Sequence, residues 1–369
     1  MVSGAPMRPG RRSTIVGVTL AGALAAGVTA LAVREWRRTS EAPVLLAVEP
    51  PAVMGTRTRL LLVTPRGRAA EARRALASAE ATLRDWEARL SAHLEGSQVS
   101  RLNAAPAGQV VPVGRKLREL LGTSDRLRRE TDGAFDPTCG PVVSLWREAG
   151  EAGRLPGPEA IERARSLVGA GLVRLLPAGA VKARDGVAID LGGLAKGRAA
   201  DEVVEGCLRG GGRTGGLVDL GGDIRCFGRT AASRPWRVGI RHPFGPRGRS
   251  CAMLELTDAA VATSGDYERY VEIDGRRYSH IVDPRTGRPV AGAAGVTVVS
   301  LPVGRRGPSA AEADAWATAL SVLGPSGLDR LEGEGMEAMI VTGTPGSPRV
   351  HATGGFRGLL AAPGKIELD

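Results

Sequence analysis

Asp190, Gly192, Gly193 and Lys196 fall close together in the stretch Val187–Asp201, and their types suit phosphate chemistry. Two adjacent glycines let a backbone turn sharply and approach a ligand. Beyond them Ala195, Ala199, Val203 and Leu208 recur at helical spacing, which predicts a helix from about Leu194 to just before Gly210. Lys196 then sits in its first turn, where a cation opposes the helix macrodipole at a cost of roughly 0.3–1 kcal/mol. A bound anion would remove that conflict. Free helix N–H groups, a lysine and a glycine turn make a phosphate or pyrophosphate site. The same residues also read as an ordinary strand–turn–helix with a solvated lysine. The stretch lacks the G-x-x-x-x-G-K-[ST] pattern and is not a P-loop.

A second pairing is Asp314 with Thr318, one helical turn apart and so on one helix face. A carboxylate and a hydroxyl are hard oxygen ligands suited to Mg²⁺ or Ca²⁺. The alternative is an aspartate near a helix start and a threonine bonded to its own backbone. A third group is Asp266, His280 and Asp283. His280 ends a predicted strand and reads equally as a general base or as a structural hydrogen-bonder. Neither Ser264 nor Ser279 has a nucleophile-elbow frame, so no serine hydrolase is expected. Met54 and Phe135 suit a flat ring or an ordinary core. Gly221-Gly222-Asp223 reads as a structural turn.

These residues need elements to hold them. A first strand is expected around Ala52–Val63, after a linker over residues 39–51. Leu76, Ala79, Leu83, Trp86 and Leu90 mark a helix from about Gly67 to Leu90. Leu117, Leu120, Leu121, Ser124 and Leu127 form the apolar face of a second helix, which stops at Asp132-Gly133. Pro158 and Glu159 open a third, reaching about Val168. Val187–Leu191 reads as a short buried strand. Leu217–Asp219, Trp236–Arg241, Ala252–Leu256, Gly295–Ser300 and Ala338–Thr342 read as strands. Asp274-Gly275 closes a hairpin between Tyr270–Ile273 and Arg277–Ile281. Ala310–Leu323 is a helix. Helices come early and strands late without a repeating βαβ unit, which favours an α+β fold.

The chain has 369 residues and a formal net charge of +11. Its basic residues are scattered and only 3% of residues are aromatic, so no nucleic-acid groove with stacking platforms is expected. Cys139, Cys207, Cys226 and Cys251 lie far apart with no C-x-x-C motif, and their spacing supports no zinc site or disulfide pairing. Arg8, Arg11 and Arg12 precede an apolar run from Ile15 to Val33. Such a run predicts a signal or membrane anchor with a weakly twin-arginine-like start. The rest of the chain is then expected on the extracytoplasmic face of the membrane. Residues 1–38 are assigned to this segment, 39–51 to the linker and 52–369 to the main domain.

Several ordered motifs now stand together: M-G-T at Met54, the serine-rich loop ending at Asn103, and G-A-F-D-P-T at Gly133–Thr138. They continue with D-L-G-G-L-A-K-G at Asp190–Gly197, V-D-L-G-G-D-I at Val218–Ile224 and V-A-T-S-G-D-Y at Val261–Tyr267. S-H-I-V-D-P-R-T-G at Ser279–Gly287 and A-D-A-W-A-T-A-L at Ala313–Leu320 complete the set. Together they resemble the ApbE family of FAD:protein FMN transferases. The resemblance implies a two-lobed α+β fold with FAD in the cleft. It implies Mg²⁺-dependent transfer of FMN to a threonine or serine of an acceptor flavoprotein, with AMP leaving. By motif, Met54, Ala134, Phe135, Asp136, Asp190, Lys196 and Ile281 would contact FAD. Asp314, Thr318, the Ala317 position and the main chain at Gly193 would hold the metal. His280 is the expected base, with Asp283 or Asp266 behind it. The family's usual aromatics are replaced by His93 in the serine-rich loop and by Arg198 after Lys196-Gly197. An FAD pyrophosphatase would use the same residues, and a non-catalytic flavin-binding protein would need no metal clamp.

Overall fold

The structure is a computed structural model that describes residues 41–246, 248–265, 270–361 and 366–368. Pro43–Val48 (β1) pairs antiparallel with Thr58–Pro65 (β2), Leu45 facing Val63. The linker expected over 39–51 is therefore corrected: its middle is the edge strand of the sheet. β2 pairs in turn with Gly215–Leu220 (β3), the next strand of the sheet. Asp223–Gly228 (β4), Ala259–Gly265 (β5), Ala293–Ser300 (β6), Met336–Thr344 (β7) and Ser347–Ala352 (β8) follow in order. All eight strands run antiparallel, and their order across the sheet is their order in the chain.

Strand alternation gives this sheet two buried faces. Leu60, Leu62, Val218, Leu220, Val296, Val298 and Ile340 point to a helical layer. Val63, Leu217, Cys226, Val261, Val299 and Val341 point to the opposite core, covered by the hairpin Trp236–Arg241/Ser250–Leu256 and by Phe356. Both layers are needed because a sheet that is apolar on both faces must be covered on both.

The helical layer enters at two places. Between β2 and β3 lie Ala69–Leu90 (α1), Gln98–Ala104 (α2), Arg115–Glu130 (α3), Gly140–Ala152 (α4), Pro158–Arg165 (α5) and Ala195–Val203 (α6). Ala310–Leu323 (α7) lies between β6 and β7. The buried stripe of α3 is Leu117, Leu120, Leu121, Ser124 and Leu127, as its spacing predicts. α4 went unread in the sequence, though Pro141 at its start, Val142, Trp146 and Ala149 on one face and a left-handed Gly153 at its end all mark it. With α5 and Val282 it makes a small second core, where the rings of Trp146 and Tyr278 stack 5.4 Å apart. The Asp274-Gly275 turn has both residues at positive φ, as a two-residue hairpin requires.

Val187–Leu191 is extended but joins no ladder. The Asn103 side chain takes the partner strand's place: its Nδ2 donates to Ile189 O at 2.9 Å and its Oδ1 accepts from Ile189 N at 2.8 Å. An apolar run read as a strand is thus held by one amide.

Candidate functional site

The site is built where the early and late halves of the chain meet. Gly192 N donates to Asp190 Oδ1 at 2.7 Å, which closes the glycine turn. Asp190 N donates to Pro137 O at 2.7 Å, so the turn is tied to the loop that carries Ala134, Phe135 and Asp136. In that loop the Asp136 carboxylate accepts from Thr138 N at 2.8 Å and Thr138 Oγ1 at 2.5 Å. Burial holds its carboxyl above the ordinary range despite those bonds. A Cβ added to Gly193 would lie 2.9 Å from Thr318 Oγ1 and 3.5 Å from the Phe135 ring. The glycine therefore lets Thr318, Phe135 and the turn share one point.

α6 starts at this turn, and Lys196 projects back across it. Its Nζ donates to Gly192 O at 3.0 Å and lies 2.8 Å from Asp223 Oδ2 and 3.6 Å from Asp314 Oδ2. The conflict with the macrodipole read from the sequence is thus answered inside the protein, by two carboxylates. Both acids are almost fully buried. Burial and the neighbouring Asp223 charge push the Asp314 carboxyl up to about 8, with Lys196 pulling the other way. Asp314 Oδ2 is a buried oxygen without a hydrogen-bond donor. Asp223, read from the sequence as part of a structural turn, belongs to this cluster. The one signal for it is its place after Gly221-Gly222, a turn that ends a buried strand.

Two close contacts set the register of α6 against α7. A Cβ on Gly197 would lie 2.3 Å from Ala310 O, so only glycine allows this approach. Asp201 of α6 caps α7: it accepts from Ser309 Oγ at 3.0 Å, Ala310 N at 2.8 Å and Ala311 N at 3.2 Å. Lys196 and Asp314 meet because these helices are locked end to side. Arg198 lies over the Trp86 ring, 6.0 Å from its centroid.

Met54 and Gly55 both have positive φ, in a tight turn closed by Val53–Thr56 hydrogen bonds. That turn presses on Gly221, where a Cβ would lie 1.9 Å from Thr56 Oγ1. Met54 is thereby placed beside the strand turn that carries Asp223. His280 is exposed at the end of its hairpin, and Ile281 behind it is buried. Asp283 is engaged: its carboxylate accepts from Arg285 Nε at 2.9 Å and Arg285 Nη2 at 3.0 Å. Arg285 in turn approaches Gly133, which brings this turn to the Phe135 loop. Asp266 lies outside the described residues, as do residues 1–38.

Three oxygen donors suit a hard cation: the Asp314 carboxylate, Thr318 Oγ1 and the main chain at Gly193. The buried Asp314 Oδ2, which accepts no hydrogen bond and has Lys196 Nζ only at ion-pair distance, is what such a cation would complete. Among the described residues no three His, Cys, Asp or Glu side chains gather as a metal cage. Mg²⁺ needs none, because it keeps several waters and takes one or two carboxylates with substrate phosphates. The Ala317 carbonyl lies inside α7 and accepts from Ser321 Oγ at 2.8 Å. All four cysteines are free thiols.

The model of the ApbE family matches residues 54–340. The FAD:protein FMN transferase of Treponema pallidum is 36% identical over 287 residues, 74% of this chain and 77% of that protein. The apo flavinyl transferase ApbE of Pseudomonas stutzeri superposes with a TM-score of 0.71 at 32% identity, covering 87% of this chain and 98% of that one. The ApbE protein of Thermotoga maritima gives a TM-score of 0.76 at 30% identity, over 86% of this chain and 100% of that one.

Proposed function

This chain belongs to the ApbE family, and from that premise we propose that it is an enzyme that moves the FMN part of FAD onto a hydroxyl of an acceptor protein. One observation carries the reading: Lys196, Asp314 and Thr318 converge on a glycine turn at a helix start. That arrangement suits a pyrophosphate and a divalent cation together, and a passive flavin binder needs neither the buried acid nor the cation.

In the proposed reaction the acceptor threonine or serine oxygen attacks the FMN-side phosphorus of FAD. A new P–O bond forms, the P–O–P bridge breaks, and the bridging electrons leave with AMP. Asp314, Thr318 Oγ1 and the Gly193 main chain would hold Mg²⁺, which polarises the pyrophosphate when bound. Lys196 holds the phosphate charge. Phe135, Met54 and Ile281 offer apolar surface to the ring system, and Asp190 and Asp136 fix the loops that present it. His280 takes the acceptor proton; the Asp283 carboxylate is engaged by Arg285. Residues 1–38 export or anchor the chain, which places the reaction outside the cytoplasmic membrane.

The test is to incubate the protein with FAD, Mg²⁺ and a threonine-containing acceptor peptide. Flavin covalently bound to the peptide, with one AMP per label, is expected. Free FMN and AMP without labelled peptide would make it a pyrophosphatase. Unchanged FAD would overturn the enzymatic reading.

A further inference from the structure

Asp223 has no part in the roles above, yet it is the acid nearest Lys196, at 2.8 Å against 3.6 Å for Asp314. It opens β4 from a turn that is fixed on every side. Gly221 N donates to Arg57 O at 2.9 Å, Gly222 N donates to Asp219 Oδ1 at 2.9 Å, and Thr56 leaves no room for a Cβ at Gly221. Asp223 is therefore set by the sheet, while Lys196 reaches the site on a long flexible stem.

Taking Asp314 as a metal ligand, as proposed above, we infer that Asp223 is a positioning residue that keeps the Lys196 ammonium at the phosphate subsite once Asp314 is committed to a divalent cation. Before the cation binds, the ammonium lies between two buried acids, nearer Asp223 than Asp314. The cation then takes the Asp314 charge and repels the ammonium. Without Asp223 the ammonium would lose its nearest carboxylate; the Gly192 carbonyl carries no full charge to oppose the cation, and the side chain would turn toward solvent through the opening its partly exposed surface already has. Asp223 holds it in, and also balances the charge it brings. Asp223 touches neither phosphate nor flavin in this role; it acts through Lys196.

Asp223→Asn keeps the shape and removes the charge. With Mg²⁺ present, it should weaken FAD binding about ten- to a hundredfold, the worth of a charge-assisted hydrogen bond. Riboflavin, which has no phosphate, should bind as to the wild type. In a Lys196→Met background the same substitution should leave FAD affinity unchanged, since the group it positions is gone. Asp223→Glu, which restores the charge, should recover part of the FAD affinity. Calorimetric titration of all variants with both ligands reads these outcomes. Equal losses for FAD and riboflavin, or a full additional loss on top of Lys196→Met, would overturn the inference. Wild-type labelling of the acceptor peptide is scored separately, so failure of the transferase reading shows there and not in these binding ratios.

Discussion

Lys196 shows how one neighbour changes the meaning of a charge. By the helix field alone, Lys196→Met should alter apo stability by less than about 1 kcal/mol, and upward if anything. With Asp223 and Asp314 on either side, the same substitution strands two buried acids. A loss of about 3 kcal/mol is expected instead, the low end for breaking a buried pair. Urea unfolding of the metal-free protein decides between the two values. Asp314→Ala is the milder change to the fold, because Lys196 keeps its nearer partner. It should cost the fold less than Lys196→Met does, because burial already penalises this carboxyl, while abolishing Mg²⁺ binding and Mg²⁺-dependent FMN transfer. Retained activity of this variant in EDTA-treated buffer would end the metal assignment. The Asp314–Thr318 pairing was legible because helical spacing alone puts two oxygens on one face. Asp223 was not, because nothing local links residue 223 to residue 196; only the packing of α6 on the sheet does.

At the scale of elements, the α6–α7 joint decides whether those residues meet. Asp201 carries much of it, accepting three hydrogen bonds at the start of α7 beside the buried Arg225. Burial raises its carboxyl above the ordinary value of 3.8. An acid whose folded pKa is raised stabilises the fold fully below the unfolded value, and that contribution is lost as pH rises through the folded one. Asn cannot ionise, so the stability of wild type relative to Asp201→Asn should fall as pH rises from about 4 toward neutrality. A constant difference across that range would show that the carboxyl titrates normally. α1, α3 and α7 could be read from their apolar spacing because each buries one stripe in the core of the helical layer or is buried throughout. β4 and β5 could not, since both faces of these strands are buried and no alternation survives. Val187–Leu191 misled for a related reason: burial made it apolar, but its partner is the Asn103 amide, which no periodicity reveals.

For the whole molecule, the eight-stranded sheet has its first strand at Pro43–Val48 and its last at Ser347–Ala352 and is covered on both faces, and no helix among the described residues is long and apolar enough to cross a membrane. Attachment or export is therefore a property proposed for the segment ahead of β1. Protease added to intact spheroplasts should digest the catalytic domain, whereas cytoplasmic marker proteins should survive. Protection of the domain until the membrane is broken would place it inside.

The agreement between strand order and chain order has a consequence for how the molecule forms. β3 to β8 can assemble by successive short-range pairings, the fast kind. The β2–β3 pairing is different, for residues 66–214 separate its strands and hold six helices. Closing that loop costs little extra free energy but demands a long conformational search. The β1–β2 hairpin should therefore dock late, after the helical layer and the remaining strands have formed. Leu62→Ala in β2 should then chiefly accelerate unfolding, while Val298→Ala in β6 should chiefly slow refolding. Stopped-flow rates showing the reverse pattern would mean that the chain closes its longest loop first. Until the hairpin docks, one edge of β3 is left open to pairing with other chains. A nascent copy of this protein is most prone to aggregate in that interval.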